Sequence, residues 1–172
     1  MRTITLGLVT ALTTLGLASV AAADDADVLR EARDRAEIEA LMWRYTRALD
    51  TGNAEAYAAA YTEDGQFGTG ANATRGREAL KAMVGGTGAA PAGGAPRPQL
   101  YHMTANHYIE FIDADHARIH AYYITASGAA GAGGAGGEQT GPRVVAVGRS
   151  IDTLVRTSEG WRIQIRDVQP QN

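Results

Sequence analysis

Two residues far apart in the sequence, Asp50 and His102, have the side chains that proton transfer needs. Asp50 closes a segment with the periodicity of an amphipathic helix, and His102 opens a segment with the composition of a strand. A carboxylate that orients an imidazole is the smallest assembly that moves a proton at neutral pH. The pair therefore predicts an acid–base site if the fold brings the residues together. Otherwise they are a turn aspartate and an ordinary strand histidine.

The first half of the chain has helical patterns. Residues 27–50 are predicted to form one helix that Thr51-Gly52 ends, because glycine accepts the left-handed conformation of a helix stop. Asn53 is the expected N-cap of a short helix over residues 54–61. A turn at residues 62–65, a short strand at residues 66–69 and a third helix over residues 76–83 follow.

The second half has the composition of β-strands. Residues 100–112, 116–126, 143–156 and 161–168 are rich in β-branched and aromatic side chains and are separated by turn signals. Helices followed by long strands predict an α+β fold, with three N-terminal helices packed on one face of a curved, mostly antiparallel sheet. Two stretches rich in Gly, Ala and Pro, residues 85–98 and 127–137, are predicted to be mobile loops.

The two-residue repeat of a strand predicts which side chains accompany His102. They are Thr104, Asn106, Tyr108 and Glu110. His107 is five residues from His102, and the repeat places it on the opposite face. A face with histidine, asparagine and tyrosine is suited to a pocket wall.

The N-terminus has the pattern of a secretory signal peptide. A positive start at Arg2, an apolar run from Ile4 to Val20 and the small residues before Asp24 predict cleavage after residue 23. A membrane anchor is the alternative, but the run is short and rich in threonine. We expect a mature domain over residues 24–172 in the periplasm or outside the cell, with no membrane contact after cleavage.

Composition excludes several classes of protein. The chain has a formal net charge of −3 and scattered arginines, which give no electrostatic basis for binding nucleic acid. It contains no cysteine, so it has no disulfide, thiol nucleophile or thiolate metal site. His116 and His120 could share a strand face, but two imidazoles without a placed carboxylate are a poor metal site. We predict no metal and no cofactor.

Short motifs at the joints of these elements resemble the SnoaL-like members of the nuclear transport factor 2-like superfamily. The resemblance runs from about Arg33 to Val168. Its motifs are Tyr45-x4-Asp50, Ala60-Tyr61-Thr62-Glu63-Asp64-Gly65, Gly76-Arg77-Glu78-Ala79-Leu80, His102-x3-Asn106, Gly148-Arg149-Ser150 and Gly160-Trp161-Arg162-Ile163-x2-Arg166. The family fold that this implies is a cone-shaped, half-open barrel around a deep apolar pocket.

The resemblance also implies a chemistry. Scytalone dehydratase and hexachlorocyclohexane dehydrochlorinase are members in which a His–Asp pair removes a proton and expels a leaving group. By position, His102 and Asp50 match that pair, and Arg166 resembles a basic residue on the last strand of the dehydrochlorinase. Tyr45 stands where that enzyme has a lysine. The expected function is a cofactor-free lyase or isomerase, with His102 and Asp50 as catalytic residues.

The predicted substrate is a small hydrophobic molecule, and the substrate-binding candidates are mostly tyrosines. Tyrosine hydroxyls at a cavity wall hold a polar ligand group, whereas core packing is the alternative for each ring. Arg166 binds a ligand anion or pairs with an acid. A ligand-binding module without chemistry and an association module remain alternatives, and we expect a homodimer or homotrimer. The candidates are Tyr45, Tyr61, Asn106, Tyr108, Tyr123 and Arg166.

Overall fold

A computed structural model describes residues 11–88, 99–128 and 142–169. These residues belong to two compact units, Met1–Glu37 and Ile38–Asn172. The predicted signal peptide falls partly outside the described residues, as do most of the two predicted loops. None of the described helices has the length and apolar character of a membrane span.

The described residues form three α-helices, whose ends follow from local sequence, and a short 3-10 helix over Gly70–Asn72. Helix α1 spans Ala11–Thr51, α2 spans Ala54–Ala59 and α3 spans Arg77–Gly88. Gly52, at φ 67°, ends α1: its N–H bonds to the Leu49 carbonyl, and the Asn53 N–H bonds to the Ala48 carbonyl. The Asn53 side chain then caps α2 by accepting from the Ala56 N–H at 3.0 Å.

The strands form one open, mixed sheet. They are β1 (Tyr61–Phe67), β2 (Thr74–Arg75), β3 (Leu100–Phe111), β4 (His116–Ser127), β5 (Arg143–Thr157) and β6 (Gly160–Asp167). The order across the sheet is β2-β1-β6-β5-β4-β3, and every neighbouring pair is antiparallel except β1 with β6. The predicted α+β fold with three helices and a mostly antiparallel sheet is confirmed.

One predicted turn is wrong. Residues 62–65 lie inside β1, at an irregularity in its pairing with β6 between Tyr61 and Gln66. A Cβ at Gly65 would lie 2.8 Å from the Tyr61 Cβ and 3.0 Å from the Ile163 carbonyl oxygen. Glycine is therefore needed there for close packing within an irregular strand, a use that its sequence context does not distinguish from a turn.

The hydrophobic core of the second unit lies between the helices and one face of the sheet. Ile38, Leu41 and Tyr45 of α1 belong to the same buried cluster as Ile119 of β4 and Ile163 of β6. Those α1 residues recur at steps of three and four, as the sequence predicted. This packing sets the last turns of α1 beside the sheet face that carries His102.

Candidate active site

Asp50 and His102 are in direct contact. Asp50 lies in the last turn of α1 and His102 near the start of β3, and the His102 Nδ1 is 2.6 Å from the Asp50 Oδ1. The same carboxylate accepts the His102 backbone N–H, at 3.1 Å and 3.3 Å to its two oxygens. The side chains are 11% exposed for Asp50 and 28% exposed for His102. One carboxylate thus fixes both the backbone and the ring of the histidine.

This contact selects the chemical state of the ring. A carboxylate only accepts hydrogen bonds, so the proton of a neutral His102 is held on Nδ1, and Nε2 carries the free lone pair. Within the described part of the chain, Nε2 has no hydrogen-bond partner. The arrangement can accept a proton at Nε2 and stabilise the resulting imidazolium through Asp50.

A cavity of about 340 Å³ opens onto this pair. That volume is within the usual range for a small-molecule site. Most of its wall area is apolar, although seven of the twelve lining residues are polar or charged. The lining residues are Ile38, Glu39, Met42, Trp43, Thr46, Arg47, Asp50, His102, Thr104, His107, Ile109 and Ile119.

The predicted strand alternation after Thr104 is wrong, because β3 contains a β-bulge. Ala105 pairs with Tyr122 and Tyr108 with His120, so two residues of β3 face one residue of β4. Asn106, at φ 49°, is the non-glycine residue in the left-handed region that forms the bulge. Beyond it the facing inverts, and His107 lines the same cavity as His102.

The bulge also determines where two substrate-binding candidates lie. Asn106 and Tyr108 are exposed, and neither is among the residues that line this cavity. Tyr108 is 62% exposed, and its ring centroid lies 6.1 Å from that of His120. Both residues therefore lie on the side of β3 away from the cavity.

Three other candidates meet His102 at a second, smaller cavity. Tyr45, Tyr123 and Arg166 line a space of about 180 Å³ that also has His102 in its wall. Tyr61 is fully buried in the core instead, and its hydroxyl lies 3.1 Å from that of Tyr57. His102 is thus shared by two cavities, of which the smaller is lined by two of the four predicted tyrosines, Tyr45 and Tyr123.

The sequence profile of the SnoaL-like domain matches residues 30–167. The chain belongs to the SnoaL-like domain family. The predicted resemblance is thereby confirmed, and the match covers α2, α3 and the whole sheet. A comparison with curated proteins gives no significant match.

Solved structures resemble this SnoaL-like domain in fold. A protein of unknown function from Mycobacterium tuberculosis is 23% identical, with a TM-score of 0.68, over 84% of this chain and 76% of that chain. An NTF2-like protein with a cystatin-like fold from Novosphingobium aromaticivorans is 24% identical, with a TM-score of 0.65, over 83% and 84%. A candidate scytalone dehydratase from the same organism is 21% identical, with a TM-score of 0.65, over 84% and 89%.

Arg166 of the SnoaL-like domain forms a buried ion pair with Asp152 on β5. Arg166 is 4% exposed and Asp152 fully buried, and the guanidinium carbon lies 4.6 Å from the centre of the Tyr45 ring. Burial raises the pKa of Asp152 to about 6, although the Arg166 charge opposes that shift. Burial lowers the pKa of Arg166, but the Asp152 carboxylate outweighs it and the pKa is raised overall. Of the two predicted roles for Arg166, the structure provides the ion pair.

Tyr57 and Tyr61 are buried core residues. Burial raises the pKa of Tyr57 and of Tyr61 well above the usual value, with the neighbouring Tyr45 ring adding to the effect. Both phenols stay neutral across the physiological range. They form a packed cluster with Tyr45, with ring centroids 5.2 Å to 6.1 Å apart.

Several cavity residues were not predicted from the sequence. Thr46 and Arg47 line the larger cavity from α1. The helical spacing from Asp50 back to Met42 could have predicted this face of α1. His107 and Ile109 had no such signal, because their position depends on the bulge. Among the described residues, no three potential metal-ligating side chains form a cluster.

Proposed function

We propose that this protein is a cofactor-free lyase or isomerase of the dehydratase type that acts on a small hydrophobic molecule. The observation that carries the proposal is the 2.6 Å contact between His102 and Asp50 at the wall of the larger cavity. A base that removes a proton from carbon needs an oriented lone pair in a largely apolar space. The contact with Asp50 supports the first requirement, and the apolar wall area of the larger cavity supports the second.

In the proposed reaction, the Nε2 of His102 takes a proton from a carbon of the substrate. The electron pair of that C–H bond forms a carbon–carbon double bond and either expels an oxygen leaving group or pushes the π pair of a neighbouring carbonyl onto its oxygen. In the second case the proton returns to another carbon of the resulting enolate. Asp50 keeps the proton of the neutral ring on Nδ1 before the step and stabilises the imidazolium after it. General base catalysis of this kind contributes roughly 10²–10⁴-fold, and the cavity supplies the rest by positioning.

Family position supports the same conclusion. The chain belongs to the SnoaL-like domain family, and a candidate scytalone dehydratase is among its structural neighbours. Those neighbours are related at the level of fold, so the reaction assignment depends on the residues of this chain. The cavity wall, with Ile38, Met42 and Ile119, favours a hydrophobic ring over a sugar or a phosphorylated compound.

The test is carbon-acid exchange with a defined probe. The purified chain is incubated with isophorone, a cyclic enone, in D₂O, and NMR follows deuterium uptake at its carbon positions. We expect catalysed exchange in the wild type, a loss of about 100-fold or more in His102→Ala, and a reduced rate in Asp50→Asn.

His120→Ala is the matched control, because His120 also pairs with a carboxylate, that of Glu110 at 3.1 Å, but does not line the larger cavity. Circular dichroism establishes that each variant is folded. Exchange that survives in His102→Ala contradicts the proposal. Binding of isophorone without any exchange identifies the chain as a ligand-binding module instead.

A further inference from the structure

A second histidine–carboxylate pair lines the larger cavity. The Nε2 of His107 lies 3.3 Å from the Glu39 Oε1, and both residues belong to the cavity wall. The side chains are 42% exposed for His107 and 57% exposed for Glu39, so this pair lies nearer the solvent than His102 and Asp50 do. One cavity therefore contains two imidazoles, each bonded to its own carboxylate.

The second pair reaches the cavity only because of the bulge at Asn106. In a regular strand, positions 102 and 107 would face opposite sides of the sheet. The bulge inverts the facing between them, and Asn106 within it adopts a φ of 49°. Such a conformation costs about 1–2 kcal/mol for most residues but less for asparagine, which adopts it more readily than other non-glycine residues. The asparagine at this position is therefore compatible with the bulge that places His107 in the cavity.

The two pairs present different ring nitrogens. Asp50 holds the Nδ1 of His102, which leaves Nε2 as the free atom, whereas Glu39 holds the Nε2 of His107, which leaves Nδ1. In the part of the chain that the structure describes, the Nδ1 of His107 has no hydrogen-bond partner. A protonated His107, with its charge balanced by Glu39, can therefore donate from Nδ1.

The spacing along the strand limits what the two rings can do together. The register from His102 to His107 corresponds to four residues of β4, which is about 13 Å between the two backbone positions at ~3.3 Å per residue. Two imidazoles extending into one cavity from that distance do not meet on a single atom. They can contact opposite ends of a ring or conjugated system.

We propose that His107 is a second catalytic residue, the general acid of the reaction for which His102 is the base. This inference rests on the proposed function. His102 takes a proton from carbon at one end of a conjugated substrate, and the electron pair shifts through the double bonds to an oxygen at the other end. The Nδ1–H of His107 protonates that oxygen as it becomes an enol, or as its bond to carbon breaks and it leaves as water. The substrate class is a cyclic enone or hydroxyketone whose reacting carbon lies across the ring from its oxygen.

Isophorone tests this proposal because its two ring methylenes, at the α′ and γ positions, are both exchangeable in one molecule. The α′ position is next to the carbonyl, and the γ position lies across the ring from it. Deuterium uptake at both positions is measured by NMR for the wild type and for His107→Asn, Glu39→Gln, His102→Ala and His120→Asn. His120→Asn is the control, since His120 pairs with Glu110 in the same way but does not line this cavity.

We expect His107→Asn to lower γ exchange by about 10-fold or more while α′ exchange changes less. Both paths place charge on the carbonyl oxygen, but only removal of the γ proton by His102 sets that oxygen across the ring, on the side of His107. Glu39→Gln should shift the ratio of γ to α′ exchange in the same direction, and His120→Asn should leave it unchanged. A ratio in His107→Asn equal to that of the wild type overturns the role of His107 and leaves that of His102 standing. Exchange that does not depend on His102 overturns the proposed function and this inference with it.

Discussion

The buried Arg166–Asp152 pair gives a stability prediction whose size and pH dependence follow from its surroundings. In Arg166→Met, an uncharged side chain replaces the guanidinium group that lies over the Tyr45 ring, and Asp152 loses its counter-charge. Removing one partner of a buried pair typically destabilises a protein by about 3–5 kcal/mol. For a domain of this size that corresponds to a loss of roughly 10 °C or more in Tm.

The pH dependence has a definite sign. Burial raises the pKa of Asp152 to about 6 in the folded wild type, above the value of an unfolded aspartate. A carboxyl with a raised folded-state pKa stabilises the fold fully below its unfolded pKa, and this contribution is lost as the pH rises through the folded-state pKa. Without Arg166 the folded-state pKa is higher still. The deficit of Arg166→Met relative to the wild type therefore grows above pH 6.

The assay is urea unfolding at pH 5 and pH 8, followed by circular dichroism and by the fluorescence of the buried Trp161. Arg30→Met is the control, because its ion pair with Asp27 is exposed and contributes at most about 1 kcal/mol. The double variant Asp152→Asn, Arg166→Met should recover stability at pH 8, since no charge is then left buried. A deficit below 1 kcal/mol at pH 8, or an equal deficit at both pH values, would refute the reasoning.

Two further predictions concern backbone positions. Asn106→Gly should unfold within about 0.5 kcal/mol of the wild type and Asn106→Ala about 1 kcal/mol less stably, because alanine tolerates φ 49° poorly; equal urea midpoints for the two variants would argue against a strained bulge. Gly65→Ala should be destabilised by more than 1 kcal/mol in the same assay, since its Cβ would lie within 3.0 Å of the Ile163 carbonyl oxygen; a wild-type midpoint would mean that β1 shifts freely.

The part of the site that the sequence predicts is the part that regular periodicity controls. The spacing of α1 up to Gly52 places Asp50 at a helix end, and the family motifs align it with His102 before any irregularity in β3. From Asn106 onward, the two-residue repeat gives the wrong face for every residue. One extra residue in a strand leaves no mark in composition, because asparagine is as common in turns as it is at bulges.

Arg166 illustrates a second limit. Its type and its place on the last strand are compatible with an anion site and with an ion pair, and the choice depends on which residue lies opposite. The register of β5 and β6 pairs Asp152 with Arg166, a long-range fact that local patterns do not contain. Tyr45 is similar: its ring packs against the Arg166 guanidinium, and the residue also lines the smaller cavity.

The two cavities that share His102 differ in size. The smaller one, about 180 Å³, is below the usual range for a small-molecule site but large enough for several water molecules, and Arg166 and Tyr123 are among the residues that line it. The larger one, about 340 Å³, has room for a single ring system, and most of its wall area is apolar. Because His102 belongs to both walls, the residue that the proposal makes the base separates the larger cavity, where the proposed substrate would bind, from the smaller one.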